Sequence, residues 1–148
     1  MAIADDLDRA TDSTWDWVAE QTRTYLATGG TEGHASNGVY MLVLATTGRR
    51  TGEPRRTCLI YGTSGDDYVV VASKGGADED PDWFKNLQAN PSAGVQVGPR
   101  RFTVRARVAS QDERASLWPM MARIFPLYDE YAQKTDRQIP VVLLTPQT

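Results

Sequence analysis

The run Val39–Thr47 is apolar almost throughout. A strand wet on one face alternates apolar and polar residues, whereas a strand covered on both faces does not. This segment therefore reads as a buried strand. It runs directly into TTGRRTGEPRRT (Thr46–Thr57), where Arg49, Arg50, Arg55 and Arg56 fall close together and Gly48, Gly52 and Pro54 break the chain. A second apolar run, Cys58–Tyr61, follows. Two core strands joined by a cationic turn are thus expected. Such a turn can offer guanidinium forks and backbone N–H groups to an anion. Charge runs usually just face water, so charge alone favours a solvated basic hairpin.

The neighbouring segments extend the pattern. Arg55–Gly62 reads as the second strand and Asp67–Ser73 as the third, with Thr63-Ser64-Gly65-Asp66 as their hairpin turn. Lys74–Ala77 leaves that strand, and an acidic loop, Asp78–Asp80, follows. Asp80 is expected to cap a short helix with Pro81 at its first position and Trp83, Phe84 and Leu87 inside. Asn90-Pro91 ends that helix, Ala93–Val97 is a strand, and Gly98-Pro99 is a turn. In Phe102–Ala109, apolar positions alternate with Thr103, Arg105 and Arg107, the mark of a half-buried strand with a basic outer face. Ser110 with Glu113 forms a capping box. It opens a helix whose Leu117, Met120, Met121, Ile124 and Phe125 share one face. Pro119 interrupts this helix and Pro126 ends it. A second short helix holds Tyr128 and Tyr131, and Ile139–Leu144 is the closing strand.

At the other end, residues 5–27 read as a helix from the spacing of Leu7, Ala10, Trp15, Val18, Thr22 and Tyr25-Leu26, stopped by Gly29-Gly30. Its opposite face carries Asp5, Asp6, Asp8, Asp12, Asp16 and Glu20. A membrane-surface helix would carry Lys and Arg there, so this helix is expected to pack on the domain or cover a site. Residues 29–38 form a loop containing His34, the only histidine, to which no role is assigned. Six strands with short helices, mostly hairpin-linked, define an α+β barrel. A parallel doubly wound sheet would need crossover helices that the first three strands lack.

The chain has 148 residues, one domain's worth, and a net charge of −3, so no general attraction to nucleic acid is expected. The single cysteine, Cys58, sits in an apolar strand and is expected to be a buried, inert thiol. Nothing suggests a metal site. The acidic start MAIADDLDRATD lacks a basic and then apolar leader, and no run approaches the ~18 apolar residues of a membrane span. The expected location is the cytoplasm, with a peripheral position at the membrane left open. An acidic helix and an exposed strand edge leave room for a homodimer.

Phosphate-binding P-loop, GxGxxG, HExxH and GxSxG patterns are all missing, and one histidine makes a hydrolytic triad improbable. What remains is anion binding beside aromatic residues. Three segments could meet at one barrel mouth. Gly48–Thr57 supplies cationic forks. Ser73–Ala77 supplies a hydroxyl, an ammonium and glycine backbone open to close approach. Trp83–Asn86 supplies an indole and an amide. A planar, multiply anionic cofactor would use all three.

GRRTGEPRRTCLIY, DYVVVASKGGADEDPDWFKNLQANP and YDEYAQKTDRQIPVVLLTP together resemble the deazaflavin-dependent nitroreductases of actinobacteria, also called F420H2-dependent quinone reductases. The resemblance runs from Tyr40 to Pro146. It implies a split β-barrel of the flavin-reductase type over residues 39–148, preceded by an N-terminal helix and loop over 1–38. It also implies coenzyme F420, a 5-deazaflavin with a phosphodiester and an oligoglutamate tail, and hydride transfer to quinone, enone or nitroaromatic acceptors. Arg49, Arg55, Arg56 and Thr57 carry over to the phosphate and tail side. Ser73, Lys74, Gly75 and Gly76 carry over to the ring or linker side, and Trp83 and Asn86 to flanking contacts. Arg50 has the right charge but could equally face solvent. Phe125, Tyr128 and Tyr131, spaced by three, would line the acceptor side, with Ser73, Tyr128 and Tyr131 as the catalytic candidates. Phe125 stands where the family places a tyrosine, which removes one hydroxyl and weighs against nitroimidazole activation more than against quinone reduction. Core packing is the alternative for both tyrosines. A non-catalytic binder of deazaflavin or fatty acid, and an FMN-dependent oxidoreductase, are the competing functions.

Overall fold

The computed structural model describes residues 7–8, 10–13, 16–36 and 39–147. Its elements are, in chain order, helix α1 (Asp16–Ala27), the two-residue strand β1 (Ala35–Ser36), β2 (Val39–Thr47), β3 (Pro54–Ser64), β4 (Asp67–Val71), a 3-10 turn (Lys74–Gly76), α2 (Asp82–Ala89), β5 (Ser92–Val97), β6 (Arg100–Val108), α3 (Gln111–Ile124), α4 (Leu127–Gln133) and β7 (Val141–Pro146). The named strands pair antiparallel in the order β1-β2-β3-β4-β7-β6-β5. The sheet closes on itself because the free edge of β2 takes β5, with Leu44 opposite Val95. The outcome is the six-stranded split barrel that the sequence predicts, with β1 appended to the start of β2.

Strand alternation sorts the apolar residues into three layers. Leu42 and Leu44 of β2 point inward and meet Val70, Val95, Val104 and Leu144. Their neighbours Met41, Val43 and Ala45 point outward and are covered by Leu7, Val18 and Tyr25. On the far side, Val69, Val71, Val141 and Leu143 point outward beneath Leu117 and Met121 of α3 and Tyr128 of α4. Covering by helices explains why these strands read as continuous apolar runs rather than alternating ones. Helix α2 sends Phe84 and Leu87 into the inward cluster and so plugs one end of the barrel.

The barrel is split at one seam. Strand β3 is in register with β2 from Tyr40↔Tyr61 to Thr47↔Pro54, but with β4 only from Gly62↔Val69 to Ser64↔Asp67. Past Val69, β4 continues against β7, with Val70 opposite Val142. Residues 54–61 of β3 are therefore left without a β4 partner, and a cleft opens beside them.

The N-terminal helix is shorter than its sequence period suggests. Leu7 and Asp8 lie in a turn, Ala10 in a bend, and Thr11 forms a parallel bridge with Arg55. The Thr11 N–H donates to the Pro54 carbonyl (2.9 Å), and the Thr11 carbonyl accepts from the Arg56 N–H (2.8 Å). The unpaired edge of β3 offers backbone hydrogen bonds that a helix here would forgo, and Leu7 becomes fully buried in the exchange. Positions 5, 6, 9, 14 and 15 of the expected helix lie outside the described residues, as do Asn37 and Gly38 of the expected loop. A second correction concerns Asp80. Pro81 takes the cap position of α2, while the Asp80 carboxylate accepts from Arg137 (2.9 Å). A charge-assisted bond to a guanidinium outcompetes a neutral cap. The expected capping box of Ser110 and Glu113 is present on α3, and Pro119 sits inside that helix.

Tyr25 ties α1 to the far end of the barrel. Its hydroxyl accepts from the Gly98 N–H (2.7 Å) and reaches the carbonyls of Met41 (3.0 Å) and Gln96 (3.2 Å). Gly30, at φ +84°, passes so close to Gly98 that a side chain's first carbon would lie 2.5 Å from the Gly98 Cα. Burial pushes the Tyr25 hydroxyl up from 10.0 to about 12. The folded state therefore keeps a proton that the unfolded state releases. Its stabilisation is complete below pH 10.0 and is lost as pH rises toward about 12. Thermal melts of wild type should steepen in their loss of stability over that range. Tyr25→Phe should flatten this alkaline slope while costing about 1–3 kcal/mol at neutral pH. An unchanged slope in Tyr25→Phe would assign the alkaline loss to other groups.

Candidate functional site

The cleft beside β3 encloses about 430 Å³. Its floor is β3 itself, from Arg55 to Ile60. One wall is Val71 and the loop Ser73–Gly75, backed by Phe125, Tyr128 and Tyr131. The opposite wall is Thr11, Asp12 and Ser13 with Trp17 and Val18 of α1. The turn Gly48–Thr51 and Pro81–Asn86 close one end. Because residues of a strand point their N–H and C=O to alternate edges, the Arg56 N–H that bonds Thr11 fixes the phase. The backbone groups of Cys58 and Ile60 face the same side, toward the cleft.

Residues expected from the sequence largely meet here. Arg49, Arg55, Arg56, Thr57, Ser73, Lys74, Gly75, Trp83, Asn86, Tyr128 and Tyr131 all line the cleft, as do Arg50 and Phe125. Gly76 does not; it is buried beneath the loop against Tyr131.

The four arginines have different surroundings. The Asn86 side-chain oxygen accepts from the Arg49 backbone N–H (3.2 Å) and from Arg49 Nη1 (2.9 Å), and the Asn86 amide donates to Thr46 (3.1 Å). Asp82 takes a further bond from Arg49 at 3.2 Å. Asn86 thus holds the turn in place from beneath rather than offering its amide to a ligand. Arg56 is engaged too: its Nε meets Asp12 (2.6 Å), and its Nη1 meets the carbonyls of Leu7 (2.9 Å) and Asp8 (3.3 Å). The sequence placed Arg56 on the cofactor's phosphate side. In the fold it anchors the N-terminal segment, because alternation turns it to the opposite face of β3 from Arg55. Among the described residues, Arg50 and Arg55 are exposed and make no ion pair. Lys74 pairs with the exposed Glu79 (2.7 Å), whose carboxyl it holds below the usual range.

Two groups were missed in the sequence. Asp12 reads there as one acid on a helix face, yet it bridges Arg56 and Arg23. Burial raises its carboxyl, but the hydrogen bonds from Arg56 and Arg23 outweigh that and hold it below 3.8. Arg137 falls within the YDEYAQKTDRQIPVVLLTP stretch and is given no role there, yet it bonds the loop Ala72–Ala77 from behind. No local signal marks either residue, because their partners lie many positions away in the chain.

The wall formed by Phe125 and α4 is aromatic. Phe125 and Tyr128 meet edge to face with centroids 5.1 Å apart, and Tyr131 lies 6.4 Å from Tyr128 at 69°. Tyr128 is buried, and that burial pushes its hydroxyl above the ordinary tyrosine value. Cys58 on the floor is pushed up to about 12 by burial, so it remains a neutral thiol. The cleft thus combines apolar walls, a free backbone edge and a cationic end. That combination can take a flat heterocycle with polar edges and an acidic tail.

A split barrel with such a cleft is the fold of the flavin-reductase type. A profile of the F420H(2)-dependent quinone reductase family matches residues 17–146. The F420H(2)-dependent quinone reductase Rv1261c of Mycobacterium tuberculosis is 44% identical over 125 residues, which are 82% of this chain and 84% of the relative. A solved F420-H2 dependent reductase (FDR-A) shares 36% identity at a TM-score of 0.65, covering 70% of this chain and 92% of that one. A solved domain-swapped dimer gives a TM-score of 0.68 at 36% identity, covering 89% of this chain and 99% of that one. The chain belongs to the F420H2-dependent quinone reductase family. It is an oxidoreductase whose cofactor is reduced coenzyme F420. No helix among the described residues is long and apolar enough to cross a membrane.

The different arginine environments predict different mutational costs. Asn86→Ala should destabilise by about 1–3 kcal/mol in urea unfolding, since it strands the Arg49 N–H and the Thr46 hydroxyl. Arg55→Ala should stay within about 0.5 kcal/mol of wild type. Equal costs for the two would contradict this division.

Proposed function

We propose that the cleft along β3 binds F420H2 and brings a quinone against it from the side of Phe125, Tyr128 and Tyr131. The observation that carries this reading is the coincidence of a free β3 edge with unpaired cations at one end of the same cleft. A deazaflavin ring has N–H and C=O groups along its edge, which suit the outward-facing backbone of Cys58 and Ile60. Its phosphodiester and glutamate tail suit Arg50, Arg55 and Lys74, with Arg49 held ready by Asn86. Thr57 and Trp83 flank the same end. Arg56 contributes field rather than contact.

Bound F420H2 supplies a hydride, so the acceptor is reduced by two electrons. The protein's part is to hold the acceptor flat and to exclude water. Val71, Ile60 and the aromatic wall do the second task. Tyr128 stays protonated at working pH, because its burial opposes ionisation. Its hydroxyl therefore serves as a hydrogen-bond donor to an acceptor carbonyl and is a poor proton source. Ser73 offers a second hydroxyl from the loop on the same wall. Quinones, whose carbonyls match these donors, are the preferred acceptors. Enones and nitroaromatics are secondary, and the phenyl ring of Phe125 removes a donor that a nitro group could use.

Mixing F420H2 with menadione and catalytic protein should regenerate oxidised-cofactor absorbance, and FMN should fail to compete for the site. Arg55→Ala combined with Lys74→Ala should weaken F420 binding roughly tenfold to a hundredfold and leave the remaining affinity less sensitive to salt. Tyr128→Phe should lower kcat severalfold with cofactor affinity unchanged. Binding without turnover across quinone, enone and nitroaromatic panels would leave a sequestering protein instead of an enzyme.

A further inference from the structure

We propose that Arg137 is a positioning residue for the reaction, clamping the cofactor-side loop against the acceptor-side helix. The proposal rests on the reading of Ser73–Gly75 as part of the cofactor site. Arg137 itself does not line the cleft, so it acts through the loop.

The loop is conformationally costly. Lys74, Gly75 and Gly76 follow one another at φ +47°, +63° and +84°, and Lys74 is the one non-glycine residue at positive φ among the described residues. A residue with a side chain is disfavoured there, so something must hold it. Only two backbone bonds close the turn from within, Gly76 N–H to Ser73 (2.9 Å) and Ala77 N–H to Lys74 (3.2 Å). Arg137 brackets the same three residues from outside. Its guanidinium donates to the carbonyls of Ala72 (3.3 Å) and Ser73 (2.9 Å) before the left-handed run, and to that of Ala77 (2.8 Å) after it. Asp80 fixes the guanidinium through a 2.9 Å ion pair. One rigid planar group thus spans both ends of a strained turn. A lysine could not, because its ammonium is a point with no fork.

The clamp also fixes where the loop lies relative to α4. At Gly76 a side chain's first carbon would lie 2.8 Å from the Tyr131 carbonyl oxygen and 3.0 Å from its Cα. The loop therefore sits flush on the end of α4, which carries Tyr128 and Tyr131. Arg137 follows α4 in the chain and reaches back to the loop. It joins the segment that touches the cofactor to the helix that faces the acceptor. Hydride transfer depends on that separation, and small displacements are expensive in rate.

The test compares Arg137→Gln, Arg137→Lys and Lys74→Ala with wild type. In cofactor-free protein, hydrogen exchange should quicken at the Gly76 and Ala77 amides in Arg137→Gln and leave the barrel strands protected. F420 affinity, read from cofactor fluorescence, should fall about tenfold, and kcat at saturating cofactor should fall further, with Arg137→Lys giving little rescue. Weakened binding in Lys74→Ala with unchanged exchange, affinity and kcat in Arg137→Gln overturns the clamp while the cofactor site stands. Unchanged affinity in both variants overturns the site reading and the clamp with it. If Arg137→Gln loses protection throughout the barrel, Asp80→Asn decides. Faster exchange confined to residues 73–77 with about threefold weaker binding supports the clamp, and no change in either overturns it.

Discussion

The seam between β3 and β4 is the constraint on which the rest depends. A closed antiparallel barrel satisfies every ladder hydrogen bond and leaves no edge. Here β3 follows β2 to the arginine turn, whereas β4 leaves it after Val69 to follow β7. The chain then has to meet the exposed edge somehow. Thr11 covers its upper end with backbone bonds to Pro54 and Arg56. Below that point the edge stays open among the described residues, with α1 on one side of it and α4 on the other. The cleft is therefore where the barrel's own hydrogen bonding is incomplete, so its floor is polar along the backbone and apolar along the side chains.

Charge follows the same logic. Strand alternation sends Arg55 and Arg56 to opposite faces, so adjacent arginines acquire different partners. Arg56 meets the N-terminal segment and is neutralised by Asp12. Arg55 meets solvent at the cleft end. Arg49 is pinned by Asn86, a buried side chain that bonds the Arg49 backbone and guanidinium and the Thr46 hydroxyl. The four arginines that look equivalent in sequence thus divide into one pillar, one pinned cation and two that remain available. On the proposed reading, the last three face the anionic tail.

Local features were legible in the sequence. The strand Val39–Thr47 has the bounds that its apolar run predicts, and the capping box of Ser110 and Glu113 opens α3 as expected. The gathering of Ser73–Gly75, Trp83 and the arginine turn at one mouth was readable from order and chemistry combined. Long-range polar pairing was not. Asp80 precedes a proline and a helix, which makes it look like a cap, but its partner Arg137 lies 57 positions on. The N-terminal segment shows helical spacing of Leu7 and Ala10, yet it pairs through Thr11 with the open strand edge, and Leu7 is fully buried there. Periodicity reports which residues want burial. It does not report which unpaired backbone they will find.

Asp12 bears on what the N-terminal segment contributes to the site. Its carboxylate sits on Arg56 at the mouth of a cleft whose cations suit an acidic tail. An uncompensated Arg56 would add one more strong anion ligand, on the opposite face of β3 from Arg55. By occupying it, Asp12 restricts the cationic end to Arg49, Arg50, Arg55 and Lys74. These share the side of the cleft closed by α2 and the loop Ser73–Gly75. On the proposed reading, an acidic tail would be drawn toward that side and away from α1, leaving the space between Val18 and the aromatic wall for an uncharged acceptor. The acidic segment thus separates the cationic and apolar ends of one cleft by neutralising Arg56.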